Sequence, residues 1–129
     1  MSKPVRGTRI VDIEGVAVPV RDQDRALRFY VDNLGFEVRR DAPMADGRRW
    51  IQVAPPAATT TVALVGAGDG APVGLDTGIT FTTSDAEADR ADLLRRGIDV
   101  DELLRWPGVP AMFAFRDLDG NSLKIIETS

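Results

Sequence analysis

Two similar stretches, one in each half of the chain, constrain the fold more than any other feature of the sequence. "GVAVPVRDQDRALRFYVDNLGFEV" begins at Gly15, and "GITFTTSDAEADRADLLRRGIDV" begins at Gly78. Each reaches an Asp at its eighth position, Asp22 or Asp85, and ends in a Gly followed by an apolar residue, an acid and Val. Self-similarity of this kind indicates one supersecondary unit that is used twice. The chain is therefore predicted to contain two copies of one unit.

Each stretch predicts a strand followed by a helix. The opening residues alternate between bulky apolar side chains and small or polar ones, which is the period-two pattern of a half-buried strand. Asp22 is the predicted N-cap of the first helix, and Ser84 with Glu87 forms a predicted capping box for the second. Gly35 and Gly97 fit the left-handed position that follows the last turn of a helix.

Three strands are predicted after each helix. They cover 36–40, 49–53 and 60–65 in the first half, and 98–103, 111–116 and 122–127 in the second. Asp119 followed by Gly120, between the last two of these strands, is a strong signal for a hairpin turn. The pattern predicts an α+β chain of tandem βαβββ units, one over 8–66 and one over 77–129, joined by a Gly-rich linker over 67–76.

Composition limits the classes of partner. With 129 residues, 43% of them hydrophobic, the chain is predicted to form one domain with a substantial core. Its net charge of -4 argues against nucleic acid, because affinity for phosphate backbones depends on clustered Lys and Arg. No apolar run approaches the roughly 20 residues that span a bilayer, and the stretch "MSKPVRGTRIVD" lacks the apolar segment of a signal peptide. We expect a cytoplasmic protein that binds neither nucleic acid nor membrane.

The chain contains no Cys and no His. The absence of Cys removes disulfides, thiolate nucleophiles and sulfur ligands for metals. The absence of His removes the usual general base near neutral pH and the commonest ligand of transition metals. The chemistry open to the side chains is therefore restricted to carboxylates, hydroxyls, amides and cations.

The repeated unit, with "DQDRALRFYVDNLGF" in its first copy and "FRDLDGNSLKIIE" at its end, resembles the vicinal oxygen chelate superfamily. This superfamily includes glyoxalase I, extradiol dioxygenases and bleomycin resistance proteins. The resemblance implies an open, curved barrel of mixed β-sheet, the glyoxalase/bleomycin resistance fold, in which paired units enclose a ligand cavity. Many members are dimers, so a homodimer is expected here.

In the catalytic members, side chains from the concave face of the sheet hold a divalent metal. Carried over by motif, the ligand positions fall on Gly15, Gly78, a position near Ala63, and Glu127. Glycine and alanine have no donor atom, and oxygen-only sites usually need several ligands. The resemblance therefore predicts neither a metal nor another cofactor, and it leaves Glu127 either as a relic of a metal site or as a polar contact in the cavity.

Aromatic, apolar and polar residues on or near the predicted strands are the candidate ligand contacts. They are Trp50, Gln52, Ala63, Thr80, Trp106, Met112, Phe113 and Glu127. Trp, Phe and Met supply polarizable contact area for flat or apolar ligands. Met112 and Phe113 point to opposite faces of one strand, and the alternation alone does not say which face lines the cavity.

Three functions remain open at this point. The first is a metal-independent binding protein, similar to the bleomycin resistance group, that sequesters an apolar, aromatic or cationic small molecule in the cleft of a homodimer. The second is a glyoxalase-like lyase or isomerase, or a dioxygenase-like enzyme, that uses Glu127 with other carboxylates. The third is a partner-binding module that has kept the fold and lost the pocket.

Overall fold

The structure, a computed structural model, describes residues 7–68 and 70–128. Asp69 of the predicted linker and Ser129 at the end of the second predicted unit lie outside these residues. The strands, in chain order, are β1 (Gly15–Val20), β2 (Glu37–Pro43), β3 (Arg49–Ala54), β4 (Thr61–Gly66), β5 (Asp76–Thr83), β6 (Leu104–Trp106), β7 (Val109–Arg116) and β8 (Ser122–Glu127). The helices are α1 (Gln23–Arg28), which continues into a π-helical turn over Phe29–Asn33, and α2 (Ala86–Arg95).

The strands form two four-stranded sheets with the same internal order. The first sheet runs β1-β4-β3-β2, and the second runs β5-β8-β7-β6. In each sheet the strand that comes first in the chain pairs in parallel with the one that comes fourth, β1 with β4 and β5 with β8. The other pairs are antiparallel. The element order β1-α1-β2-β3-β4 therefore recurs as β5-α2-β6-β7-β8. The predicted α+β class with tandem βαβββ units is confirmed.

The helix ends agree with the sequence at three of the four predicted signals. The Asp22 side chain accepts a hydrogen bond from the Arg25 backbone N–H at 3.1 Å, so the first N-cap is confirmed. Gly35 and Gly97 follow the two helices with φ of +75° and +79°, the left-handed region that glycine enters without strain. Among the residues that the structure describes, no helix has the length and apolar character needed to cross a membrane.

The predicted capping box of the second helix is wrong. The N-cap of α2 is Asp85, one residue after Ser84, and its side chain accepts from the Ala88 backbone N–H at 3.0 Å. The next backbone donor, Ala86, bonds to the carboxylate of Glu127 instead. Ser84 and Asp85 are both residue types that cap helices, so the sequence alone does not distinguish between them.

The predicted strand over 98–103 is also wrong. Only Val100 in this segment forms an isolated bridge, to Phe115, and the strand that follows begins at Leu104. The Arg116 guanidinium donates to the carboxylates of Asp99 and Asp101, both at 2.6 Å in their shorter contacts. Acidic residues have low strand propensity, and these ion pairs hold the segment against β7 without a regular ladder.

One hydrophobic core joins the two halves. Its buried members include Val18, Val20, Ile51, Leu64, Phe113, Phe115 and Leu123. Phe36 and Phe81, one from each half, meet with ring centroids 5.2 Å apart in an edge-to-face arrangement. Beside the core, the Tyr30 hydroxyl donates to Asp117 at 2.9 Å, and the Asn121 side chain donates to the Pro19 carbonyl at 2.8 Å. The sheets are thus fixed to each other by apolar packing and by a buried polar network.

Candidate functional site

Each sheet buries one face against the core and helices and turns the other face away from them. In β7 the side chains of Ala111, Phe113 and Phe115 are buried in the core, and those between them point the other way. Residues paired in register share a face. On this basis the helix-free face of the second sheet consists of Thr80, Thr82, Met112, Ala114, Lys124 and Ile126. The helix-free face of the first sheet contains Ala17, Trp50, Gln52 and Ala63.

A hollow of about 490 Å³ lies on the helix-free face of the second sheet. It is lined by Asp101, Glu102, Leu104, Met112, Phe113, Ala114 and Lys124. This volume is within the range of about 300 to 1,000 Å³ that is typical of small-molecule sites. The side chains of Leu104, Met112 and Ala114 form apolar walls. The charged side chains in the lining are those of Asp101, Glu102 and Lys124. The hollow is the candidate functional site.

The predicted contact residues fall into separate groups. Trp50, Gln52 and Ala63 lie on the helix-free face of the first sheet, where the Gln52 amide donates to the Thr61 hydroxyl at 2.8 Å. Thr80 and Met112 lie on the helix-free face of the second sheet, in neighbouring rows. Of these, Met112 lines the hollow, and Thr80 lines a groove of about 430 Å³ that also includes residues of the first half.

Trp106 occupies a third position, on the outer edge of the second sheet. It lies in β6, pairs in register with Val109, and is 54% exposed. Leu104 and Val109 beside it are exposed as well. Large apolar side chains grouped at the end of a sheet are typical of an interaction surface.

Phe113 and Glu127 lie on the side of the second sheet that carries α2. Phe113 belongs to the core and is only 1% exposed, so it adjoins the hollow without presenting its ring there. Glu127 pairs in register with Thr83 and accepts a hydrogen bond from the Ala86 backbone N–H at 3.0 Å. A carboxylate at this position stabilises the first turn of α2. In the structure Glu127 therefore caps α2, and its expected role as a polar contact in the cavity stays a prediction.

The four positions that the resemblance assigns to metal ligands do not fit a divalent metal. Glu127 faces the helix, Ala63 has only a methyl group, and the two glycines have no side chain. No group of three or more His, Cys, Asp or Glu residues converges within 7–68 and 70–128 in an arrangement suited to a metal. The residues at these four positions therefore do not support a metal-dependent reaction.

Each glycine at these positions has a structural reason. A Cβ atom at Gly15 would come within 2.6 Å of the Thr61 hydroxyl oxygen and 2.8 Å of its carbonyl oxygen. Contacts this short require the paired strand to move, so β1 and β4 approach closely only because residue 15 is glycine. Gly78 has φ of +73° within a register irregularity of β5, a conformation that strains other residues.

Lys124 is the site residue that the sequence analysis did not select. It lies on β8, which is an inner strand, between the core residues Leu123 and Ile125, and it pairs in register with Thr80 and Ala114. The signal was present in the sequence as a cation alternating with apolar residues in "SLKIIE". Lys124 and Glu127 are three residues apart on one strand and therefore face opposite sides, so a site built around Glu127 does not include Lys124.

Comparison with known proteins places these features in one family. The model of the Glyoxalase/Bleomycin resistance protein/Dioxygenase superfamily matches residues 12–125. TnmS3, described as an antibiotic binding protein from Streptomyces sp. CB03234, is 37% identical with a TM-score of 0.83, over 95% of this chain and 100% of that chain. A superfamily member from Sphaerobacter thermophilus DSM 20745 is 33% identical with a TM-score of 0.86, over 94% and 100% of the two chains.

A shorter similarity exists to a curated bacterial protein. The uncharacterized protein YetH of Bacillus subtilis (strain 168) is 38% identical over 55 residues, which is 43% of this chain and 46% of that protein. The match thus spans less than half of this relative.

Proposed function

The chain belongs to the Glyoxalase/Bleomycin resistance protein/Dioxygenase superfamily, and we propose that it is a metal-independent binding protein that sequesters a small, mostly apolar molecule such as an antibiotic. The observation that carries this proposal is the hollow on the helix-free face of the second sheet, with walls of Leu104, Met112 and Ala114. The similarity to TnmS3, an antibiotic binding protein, supports it.

The binding cleft forms between two copies of the chain. In this arrangement Trp50, Gln52 and Ala63 of one copy face Thr80, Met112 and Trp106 of the other. Gln52 and Thr80 supply hydrogen bonds, and the aromatic residues supply contact area. Two features support the arrangement. Within the single chain, the candidates lie on separate faces, and the edge around Trp106 exposes apolar side chains.

A segment before β1 also supports association between copies. Ile10, Val11 and Ile13 lie outside the regular elements and are exposed in the single chain. The segment is anchored at its end, where the Thr61 backbone N–H donates to the Glu14 carbonyl at 2.9 Å. A segment that is attached to a sheet and exposes several apolar side chains is suited to packing on a second copy, which would remove these side chains from water.

The enzyme alternative receives less support. It requires Glu127 to act with other carboxylates, whereas Glu127 is on the helix side of the sheet and bonds to the Ala86 N–H. Asp101 lines the hollow, but Arg116 donates two hydrogen bonds to its carboxylate. The hollow therefore presents binding surface rather than an assembled acid and base.

Ligand titration tests the proposed function. Quenching of Trp fluorescence is measured across a panel of flat aromatic antibiotics, with the wild type, Met112→Glu and the control Leu94→Glu. Met112 lines the hollow, whereas Leu94 is exposed on α2. We expect saturable binding by the wild type and the control, and a loss of about 10-fold or more in affinity for Met112→Glu, because a carboxylate would be desolvated against the ligand. Absence of binding across the panel, or equal binding by all three proteins, contradicts the proposal.

A further inference from the structure

Lys124 brings a positive charge to the candidate hollow and forms no ion pair with the residues that the structure describes. Its side chain is half-buried and lines the hollow with Met112 and Ala114. Within residues 7–68 and 70–128, no hydrogen-bond acceptor or carboxylate contacts its ammonium group, and every ion pair described there is made by an arginine. An ammonium group beside apolar surface loses hydrogen bonds to water. A hydrogen-bond acceptor on a ligand would replace those bonds.

The two acids that line the hollow do not serve as partners of Lys124. Asp101 accepts hydrogen bonds from the Arg116 guanidinium at 2.6 and 3.3 Å. Because of this bond the pKa of Asp101 is lowered, so the carboxylate stays ionised and paired with Arg116. Glu102 is exposed to solvent at the rim. Lys124 is therefore the cation beside the apolar wall of the hollow, and neither of these two acids contacts its ammonium group.

A hydroxyl donor lies next to this cation. Thr80 and Lys124 are partners in the parallel pairing of β5 with β8, and both belong to the helix-free face. On the other side of Lys124, the pairing with β7 places Ala114, whose methyl group leaves room above the sheet. A cation, a hydroxyl and a small apolar residue thus form one row across three strands.

We propose that Lys124 selects a flat, apolar ligand that carries an anionic oxygen, such as a carboxylate, a phenolate or a sulfonate. This inference rests on the proposed function and narrows the class of ligand. The oxygen accepts hydrogen bonds from the Lys124 ammonium and the Thr80 hydroxyl, and the apolar body of the ligand covers Ala114 and Met112. Of the apolar, aromatic and cationic ligands expected from the sequence, the cationic class is disfavoured, because an amine would meet Lys124 in the hollow.

Two matched dyes test this selection. 1-Anilinonaphthalene-8-sulfonate carries a sulfonate, and N-phenyl-1-naphthylamine has the same aromatic skeleton without it. Both are titrated into the wild type, Lys124→Met, Lys124→Arg, Met112→Glu and Arg25→Met, and binding is followed by dye fluorescence. Arg25→Met is the control for net charge, since Arg25 is an exposed residue of α1.

We expect Lys124→Met to weaken binding of the sulfonate dye by about 10-fold, the usual size of a hydrogen bond to a charged group, and to leave binding of the neutral dye within about twofold. Lys124→Arg and Arg25→Met should retain the preference for the sulfonate. Met112→Glu should weaken both dyes, which locates them in the hollow.

The outcomes separate this inference from the proposed function. If both dyes bind the wild type and are lost in Met112→Glu, but Lys124→Met leaves their ratio unchanged, the role of Lys124 is overturned and the binding function stands. If Arg25→Met lowers the ratio as much as Lys124→Met does, the effect is one of net charge, and the inference is again overturned. If neither dye nor any antibiotic binds the wild type, the proposed function fails and this inference fails with it.

Discussion

At the scale of single residues, the two glycines that the resemblance assigns to metal-ligand positions have a reason to be glycine that the sequence alone does not reveal. A side chain at Gly15 is excluded because its Cβ would lie 2.6 Å from the Thr61 hydroxyl oxygen. A side chain at Gly78 is disfavoured because the backbone φ is positive. Both glycines lie in strands, Gly15 in β1 and Gly78 in β5. Strand spacing and backbone conformation depend on the folded partner, so no pattern within the chain predicts them.

Tyr30 is a second residue whose role depends on tertiary contacts. It is the only tyrosine in the chain, it is fully buried, and its hydroxyl donates to Asp117. Burial first, and then the negative charge of Asp117, raise the pKa of Tyr30 above its usual value of 10.0. The neutral phenol therefore contributes stability that is complete below pH 10 and is lost as the pH rises further, because the unfolded chain then releases a proton that the folded chain retains.

This linkage predicts a specific alkaline instability. The free energy of unfolding of the wild type should fall above pH 10 by up to about 1.4 kcal/mol per pH unit from this group, and Tyr30→Phe should lack that component. Urea unfolding at a series of pH values measures the free energy of unfolding of both proteins. The titration of lysines and arginines cancels in the difference between them. Tyrosinate absorbance of the wild type should appear only with unfolding. Its appearance near pH 10 in a fully folded protein would refute the account.

At the scale of elements, the periodicity of the sequence located the repeated unit, because amphipathic strands and capped helices are local features. It misplaced the element at 98–103, since the ion pairs of Arg116 with Asp99 and Asp101 join segments that are distant in sequence. It also did not predict the bond from the Ala86 N–H to Glu127, which connects β8 to α2. In both cases a carboxylate accepts a hydrogen bond from a donor that lies close to it only in the folded chain.

The assignment of Glu127 to helix capping makes its own prediction. Glu127→Ala should lower the free energy of unfolding by about 1 kcal/mol, as loss of a capping side chain typically does, and should leave ligand affinity within about twofold. Chemical denaturation and dye titration on the same preparation check the two parts. Glu127→Gln, which keeps an oxygen acceptor for the Ala86 N–H, should recover part of the stability. A selective loss of ligand affinity without a loss of stability would instead return Glu127 to the binding site.

At the scale of the whole molecule, the candidate residues are divided between two sheet faces. Trp50, Gln52 and Ala63 lie on one sheet, and Thr80 and Met112 lie on the other. The sequence predicted most of these residues from strand alternation and side-chain type. It did not predict their separation, or the presence of Lys124 among them, because the direction in which each sheet faces is a property of the assembled fold.

The central claim, a cleft shared by two copies, is tested most directly by mixing two inactive variants. Trp50→Glu alters one wall of the proposed cleft and Met112→Glu alters the other, so each homodimer has two damaged clefts. In a heterodimer with twofold symmetry of contacts, one cleft carries both changes and the other carries neither. Both variants must first show cooperative unfolding like that of the wild type.

We predict that each variant alone fails to bind the naphthalene dyes, and that refolding the two together restores binding with wild-type affinity at a fraction of the sites. A mixture that forms heterodimers and stays inactive, while the wild type binds, would contradict the shared cleft.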